Sequence, residues 1–181
     1  MVCTYTPGRP LGRAWANWDA SRRTAALEQV IAEFDALHRT KRCAGPFVDW
    51  HTARRAKIES MLDSLARSDI DPTLGVRLAA EWRRVEPDLP SDDICLIHGD
   101  FNAGNVVFQG GALAGLIDFD DVDLAPRALD YWCMGMELTE PPISLTPARV
   151  RALLAPVFRF DGQAAAFQAE QLYWTLRGLI D

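Results

Sequence analysis

The stretch from Ile97 to Asp123, IHGDFNAGNVVFQGGALAGLIDFDDVD, constrains the chain more than any other part of it. Two apolar runs, Val106 to Phe108 and Leu113 to Ile117, flank Gln109-Gly110-Gly111-Ala112. Glycines accept positive φ at no steric cost, so the segment reads as a β hairpin centred on Gly110-Gly111. Paired strands run about 4.8 Å apart, so the two open ends of a hairpin converge. Asn105 then lies opposite the neighbourhood of Leu116 to Asp118 and comes close to Asp118. Asp100, a short loop away, can turn back toward both.

Carboxylates and an amide oxygen gathered at one hairpin mouth make a hard-oxygen site. Mg²⁺ suits such a site, because it takes one or two carboxylates and leaves its other positions to phosphate and water. A carboxylate that does not ligate the metal can orient an attacking hydroxyl and accept its proton. Asp and Asn are also common in loops for conformational reasons alone. The order of the matches is what raises this stretch above that background: His98-Gly99-Asp100, then Asn105, a strand, a glycine turn, a strand, and Ile117-Asp118-Phe119.

The rest of the chain is predominantly helical. Leu27, Val30, Ile31, Phe34, Leu37 and His38 fall at helical spacing after Ser21, a reasonable N-cap, and Gly45-Pro46 ends that run. A second helix carries Ile58, Met61, Leu62 and Leu65 on one face, and a third runs from Thr73 to about Val85 before Pro87 and Pro90. Ile94 to Ile97 reads as a buried strand, and helix returns after Pro126, then over Pro147 to Phe158 and Gln163 to Ile180. Val2 to Thr6 is rich enough in β-branched and aromatic residues for a strand, ended by Pro7-Gly8. The expected fold class is α+β, mainly helical, with one small hairpin region in its middle.

Composition narrows the function classes. A net charge of -6 argues against a nucleic-acid partner, and Lys occurs only at Lys41 and Lys57. Cys3, Cys43, Cys95 and Cys133 are scattered; Cys95 and His98 have ligand-like spacing, but no second pair completes a tetrahedral site, so a buried thiol is the simpler reading. No apolar run approaches membrane-spanning length and no signal peptide is evident, so a cytoplasmic protein without a membrane partner is expected.

H-G-D-x-x-x-x-N followed by I-D-F-D resembles the catalytic and metal-binding loops of the aminoglycoside phosphotransferase and choline kinase-like small-molecule kinases, distant relatives of the protein kinases. The resemblance implies that Asp100 is the catalytic base and that Asn105 and Asp118 ligate Mg²⁺ on the phosphates of ATP or GTP. It implies that His98 braces the catalytic loop and that Asp130, in PRALDY, anchors a helix beneath the site. Ala36-Leu37-His38 is similar to a helix-closing leucine-histidine pair of these kinases, and Tyr5-Thr6-Pro7-Gly8 to their interlobe hinge. The implied organisation is a hinge or linker remnant at 1–12 and a protein-kinase-like carboxy-terminal lobe at 13–181.

No glycine-rich loop precedes the catalytic region, and no strand-borne lysine is available to hold the nucleotide phosphates. The expectation is therefore an amino-terminal nucleotide lobe absent from these residues, and a chain impaired in transfer by itself. Family members phosphorylate aminoglycosides, choline, homoserine, sugars and macrolides, and the acceptor expected here is a small-molecule hydroxyl. Glu137, Glu140 and Asp161 are candidates for an acidic pocket, with solvated helix ends the simpler reading. Trp15, Trp18, Trp50 and Trp132 are candidates for an aromatic box, with packing the simpler reading. A non-catalytic binding module derived from the same fold is the main alternative, and a Mg²⁺-dependent phosphohydrolase is a third.

Overall fold

A computed structural model of the chain describes residues 6–40, 49–89, 94–158 and 164–180. Strand β1 (Arg9–Pro10) and a single helical turn, α1 (Leu11–Trp15), lead into the long helix α2 (Ala20–His38). Asp19, not Ser21, caps α2, its carboxylate accepting the Arg22 N–H at 2.8 Å. Asp19 stands one residue before the first helical position, where a side-chain oxygen reaches the orphan N–H groups of the first turn. The stripe Leu27, Val30, Ile31 and Phe34 is buried, and His38 closes the helix on the same side.

Helices α3 (Trp50–Ala66) and α4 (Pro72–Val85) follow, each capped by an aspartate, Asp49 and Asp71. Pro72 starts α4 one residue earlier than Thr73, because proline at the first helical position gives up an N–H that has no partner there. Pro87 sits in a 3₁₀ turn over Glu86–Asp88. Strands β2 (Ile94–Ile97), β3 (Val106–Gln109), β4 (Ala112–Leu116) and β5 (Asp123–Pro126) then precede helices α5 (Ala128–Thr139), α6 (Pro147–Leu154) and α7 (Ala164–Ile180). Helix α6 stops four residues short of the expected Phe158: Val157 and Phe158 instead turn back to the Leu154 carbonyl.

The expected single hairpin is one part of two small sheets. β3 and β4 pair antiparallel around the Gly110–Gly111 turn, where φ is +63° and +102°, and β1 adds to the outer side of β3. β2 pairs antiparallel with β5, Ile94 opposite Pro126 and Ile97 opposite Asp123. β5 was not legible as a strand because DLAP is short and ends in proline, and its pairing is long-range. The strand read over Val2 to Thr6, the hinge residue Tyr5, the Gly45-Pro46 break, Lys41, Cys3, Cys43, Pro90 and Asp161 lie wholly or mostly outside the described residues.

Two apolar clusters hold these elements together. The larger joins α2, the sheets, α5 and α6 around Phe34, Phe101, Tyr131 and Met134. The second joins α3, α4 and α7 through Ile58, Leu65, Trp82, Leu172 and Leu176. Burying a side chain of that size contributes roughly 1.5–3 kcal/mol. The fold is α+β and mainly helical. Among the described residues no helix is long and apolar enough to cross a membrane, and neither Cys95 nor Cys133 forms a disulfide.

Candidate active site

The segment from His98 to Asn105 links β2 to β3, and almost every polar group in it is tied down. Asp130, fully buried in the first turn of α5, accepts the backbone N–H of His98 and that of Gly99, each at 2.9 Å. The same carboxylate accepts Nε2–H of His38 at 2.9 Å, so the end of α2 and the start of α5 meet beneath the loop. His98 is buried, its Nε2–H donating to the Ile117 carbonyl at 2.9 Å while its Nδ1 accepts a long hydrogen bond, 3.4 Å, from the Asp100 N–H. Both ring nitrogens are thereby engaged within the loops.

Farther along, Gly12 of α1 donates to the Ala103 carbonyl at 3.0 Å, and Glu137 of α5 accepts the Ala103 N–H at 2.8 Å. Glu137 is therefore a half-buried fastener of this loop and not a solvated helix end. Asn102 Oδ1 accepts the Gly104 N–H at 2.8 Å and the Asn105 N–H at 3.1 Å, a side chain closing its own turn. Asn102 escaped the sequence reading, although Asn followed two residues later by Gly is the signature of such a turn.

These ties fix the three acidic and amide side chains. Asp100 Oδ2 accepts Nδ2–H bonds from Asn102 at 3.0 Å and from Asn105 at 2.9 Å, and Asn105 Nδ2 also reaches the Asp100 carbonyl at 3.1 Å. With its amide hydrogens committed to Asp100, Asn105 keeps its oxygen as the remaining side-chain donor to a cation. Asp100 keeps Oδ1. Across the hairpin mouth the Ile117 N–H donates to the Asn105 carbonyl at 2.9 Å, so Asn105 faces the residue just before Asp118. Asp118 is exposed and adopts φ +64°, a left-handed conformation that costs a non-glycine residue about 1–2 kcal/mol.

The loop after β4 passes close above the first one. Gly99 has φ +84°, and a Cβ there would stand 2.2 Å from the Asp121 carbonyl oxygen, so only glycine allows this approach. Phe119 packs on His98 with ring centroids 4.6 Å apart.

A cleft of about 390 Å³ opens beside Asp100 between the His98–Asn105 loop and helices α3 and α7. Its walls include Trp50, Arg54, Trp132, Tyr173 and Trp174, with carboxylates at Asp121, Asp123 and Glu170. Asp121 and Asp123 thus reach the cleft as well as solvent. The tryptophans do not form one box: Trp50 and Trp132 line this cleft, whereas Trp18 stacks edge-on against Phe108 at 5.1 Å and Trp15 is buried under Arg23. Burial raises the Glu170 carboxyl above its ordinary range, with Arg54 opposing and Asp123 adding to the effect. Burial likewise pushes the Cys133 thiol, on the same cleft, up to about 12, with the charges of Asp130, Glu170 and Asp100 contributing. No sequence signal pointed to Arg54 or Glu170, which only the packing of α3 on α7 brings together.

The donor set fits a hard divalent cation that stays partly hydrated. It offers one amide oxygen and one carboxylate, and Mg²⁺ is commonly held by one or two carboxylates together with phosphate and water. Among the described residues no three His, Cys, Asp or Glu side chains converge on one metal position, so a closed all-protein cage is not present there.

A loop closed by Asp130, an Asp–Asn pair at the hairpin mouth and an exposed Asp118 opposite it lie together within a protein-kinase-like fold. The chain belongs to the phosphotransferase enzyme family, which it matches over residues 1–167. It is 36% identical over 113 residues to homoserine kinase from Pseudomonas aeruginosa, covering 59% of this chain and 32% of that protein. It is 33% identical over 143 residues to aminoglycoside 3'-phosphotransferase from Escherichia coli, covering 75% of this chain and 52% of that one. The fold matches ADP-bound aminoglycoside phosphotransferase APH(2'')-Ib with a TM-score of 0.68 at 18% identity, over 97% of this chain and 62% of that one. It also matches an aminoglycoside-3'-phosphotransferase of type VIII at 0.60 and 21% identity, over 93% and 66% respectively. The alignments thus span from about a third to two thirds of the length of these relatives.

Proposed function

We propose that this chain is the acceptor- and metal-binding part of a small-molecule kinase, moving the γ-phosphate of ATP or GTP onto a hydroxyl of a small acceptor. The observation that carries the reading is the pairing of Asp100 with Asn105 at the hairpin mouth, opposite an exposed Asp118 held at positive φ. Family membership supports phosphotransfer as the reaction class. The names of the relatives, homoserine kinase and aminoglycoside phosphotransferase, support a small hydroxylated acceptor.

In this reading Asp100 Oδ1 accepts a hydrogen bond from the acceptor hydroxyl and takes its proton. The acceptor oxygen forms a bond to the γ-phosphorus as the bond to the β-phosphate oxygen breaks, and the nucleoside diphosphate leaves. Asn105 Oδ1 and Asp118 are the residues that would hold Mg²⁺, which when bound neutralises charge on the nucleotide phosphates. Asn102 and Asn105 fix the carboxylate of Asp100 by two N–H bonds to Oδ2, which leaves its second oxygen for the acceptor. His98 and Asp130 hold the loop and transfer no proton, since their polar atoms are engaged with backbone and with His38.

Neither lysine supplies a phosphate-holding ammonium in this reading. Lys57 is exposed on α3, and Lys41 lies outside the described residues. The organisation proposed is a hinge or linker at 1–12 and a catalytic lobe at 13–181 that works with a nucleotide lobe, in a cytoplasmic setting. By itself the chain is expected to transfer phosphate weakly. The test is transfer of labelled γ-phosphate to a panel of hydroxylated small molecules, with Asp100→Ala as control. Removing a positioned base lowers the rate by about 10²–10⁴. Equal turnover with and without the Asp100 carboxylate would overturn the assignment. No transfer to any acceptor from a chain that binds Mg²⁺-nucleotide would favour a non-catalytic binding module.

A further inference from the structure

At the far end of the hairpin from Asn105, a cavity of about 480 Å³ opens between the Gly110–Gly111 turn, the Gly8-Arg9 segment and the start of α2. Strand β3 separates the two places: Asn105 precedes it and Gln109 ends it, roughly 13 Å apart at the rise of a strand. The cavity falls in the size range of small-molecule pockets. Its walls carry Arg9 and Arg22 and no carboxylate, in a chain whose net charge is -6. Asp19, which follows Trp18 in sequence, is committed to the first turn of α2, where it accepts the Arg22 backbone N–H at 2.8 Å.

Arg39, Arg54, Arg55 and Arg84 each meet a carboxylate. Among the described residues neither Arg9 nor Arg22 forms such an ion pair. Arg22 is held instead by an aromatic face, its guanidinium carbon 5.1 Å from the Trp18 ring centre. Trp18 is itself fixed edge-on against Phe108, the β3 residue that pairs with Arg9. Stacking holds a guanidinium by its face and leaves its in-plane N–H donors free. Gly111 makes room for this placement, since a Cβ there would stand 2.7 Å from Arg22 Nη2.

Two free guanidinium forks on one concave wall suit an anionic head with two charges. A phosphate monoester has that charge near neutral pH and offers three strong acceptor oxygens. A bare phosphate ion would occupy only part of the space. The side-chain amides of Asn17 and Gln109, on the same walls, can donate to and accept from hydroxyl groups.

We propose that this cavity is a second ligand site, for the phosphate monoester of a small hydroxylated molecule. The phosphate sits on Arg9 and Arg22, and the hydroxylated remainder lies over Asn17 and Gln109. The site is separate from the hairpin mouth and does not rest on the roles given to Asp100, Asn105 and Asp118.

The test is calorimetric titration of the full chain with glycerol 3-phosphate, inorganic phosphate and glycerol. It is run without Mg²⁺ and at about 0.15 M salt, where diffuse attraction between exposed charges is largely screened. Glycerol 3-phosphate is expected to bind more tightly than inorganic phosphate, and glycerol not at all. Arg9→Met and Arg22→Met are each expected to weaken that binding about ten- to hundredfold, the range for losing a hydrogen bond to a charged group. Asp118→Ala is expected to bind as the unchanged chain does. Both arginines are exposed, so the variants are expected to melt as the wild-type chain does, and affinities are compared only among variants that melt cooperatively. No binding of glycerol 3-phosphate, or equal affinity in both arginine variants, overturns the proposal. Binding lost in Asp118→Ala and kept in the arginine variants would move the phosphate to the hairpin mouth and overturn it as well. Inorganic phosphate binding as tightly as the ester would overturn the assignment of an organic ligand.

Discussion

His38 Nε2 donates to Asp130 Oδ2 at 2.9 Å across 92 residues of sequence, and that one carboxylate also accepts two backbone N–H groups of the loop leading to Asp100. The geometry of the candidate active site thus hangs on a group that never touches the cleft. Asp130→Ala leaves three donors without their acceptor, the His38 ring N–H and the His98 N–H buried and the Gly99 N–H half-buried, each buried one costing about 1–3 kcal/mol. A total loss of roughly 3–5 kcal/mol is expected in urea unfolding, which is the size seen when a buried polar network loses its centre. A change below about 1 kcal/mol would mean that the loop is held by something else.

Gly99 sets the distance between the loop after β2 and the loop after β4. Its φ of +84° and the 2.2 Å approach of a Cβ to the Asp121 carbonyl act together against any side chain there. Gly99→Ala is expected to keep the helical circular-dichroism spectrum yet lower stability by about 1–3 kcal/mol, the usual cost of such strain. An unchanged melting temperature would contradict this.

Cys133 lines the cleft, but its thiol is pushed up to about 12 by burial and by neighbouring carboxylates. Only the thiolate is an effective nucleophile, and roughly one in ten thousand such thiols is ionised at pH 8. Alkylation of Cys133 by iodoacetamide, followed by peptide mass spectrometry, is expected to be far slower in the native chain than in urea. Equal rates would contradict the described burial.

Glu170 gives a pH signature. Its carboxyl is raised above the ordinary 4.5, chiefly by burial, so the native state holds this proton more tightly than the unfolded chain does. The resulting contribution to stability is complete below 4.5 and is lost as pH rises through the folded value. Glu170→Gln cannot lose a proton, so the stability of this variant relative to the wild-type chain is expected to climb with pH above that point. A difference that stays flat across the carboxylate range, or falls with pH, would contradict it.

The sequence made much of this architecture legible because its strongest signals were local. The glycine turn set the hairpin register, and the period of Leu27, Val30, Ile31 and Phe34 marked the buried face of α2. His98, Asp100, Asn105 and Asp118 were visible as an ordered pattern within one short stretch. What stayed hidden depends on distant packing. The β2–β5 sheet forms only when Pro126 meets Ile94, and Glu137 reads as an ordinary helix-end acid until α5 comes to rest against Ala103. Arg54 and Glu170 lie on different helices, and neither carries a local pattern that announces a partner.

The account stands most directly on whether the hairpin mouth holds a metal–nucleotide complex. Calorimetric titration of the chain with Mg²⁺-ATP and Mg²⁺-GTP, repeated with Asp118→Ala, measures this. Binding of at least one nucleotide that requires Mg²⁺ and is lost in Asp118→Ala is the expected result. Binding that survives the substitution, or no binding by a chain shown to be folded, would contradict the assignment of Asn105 and Asp118.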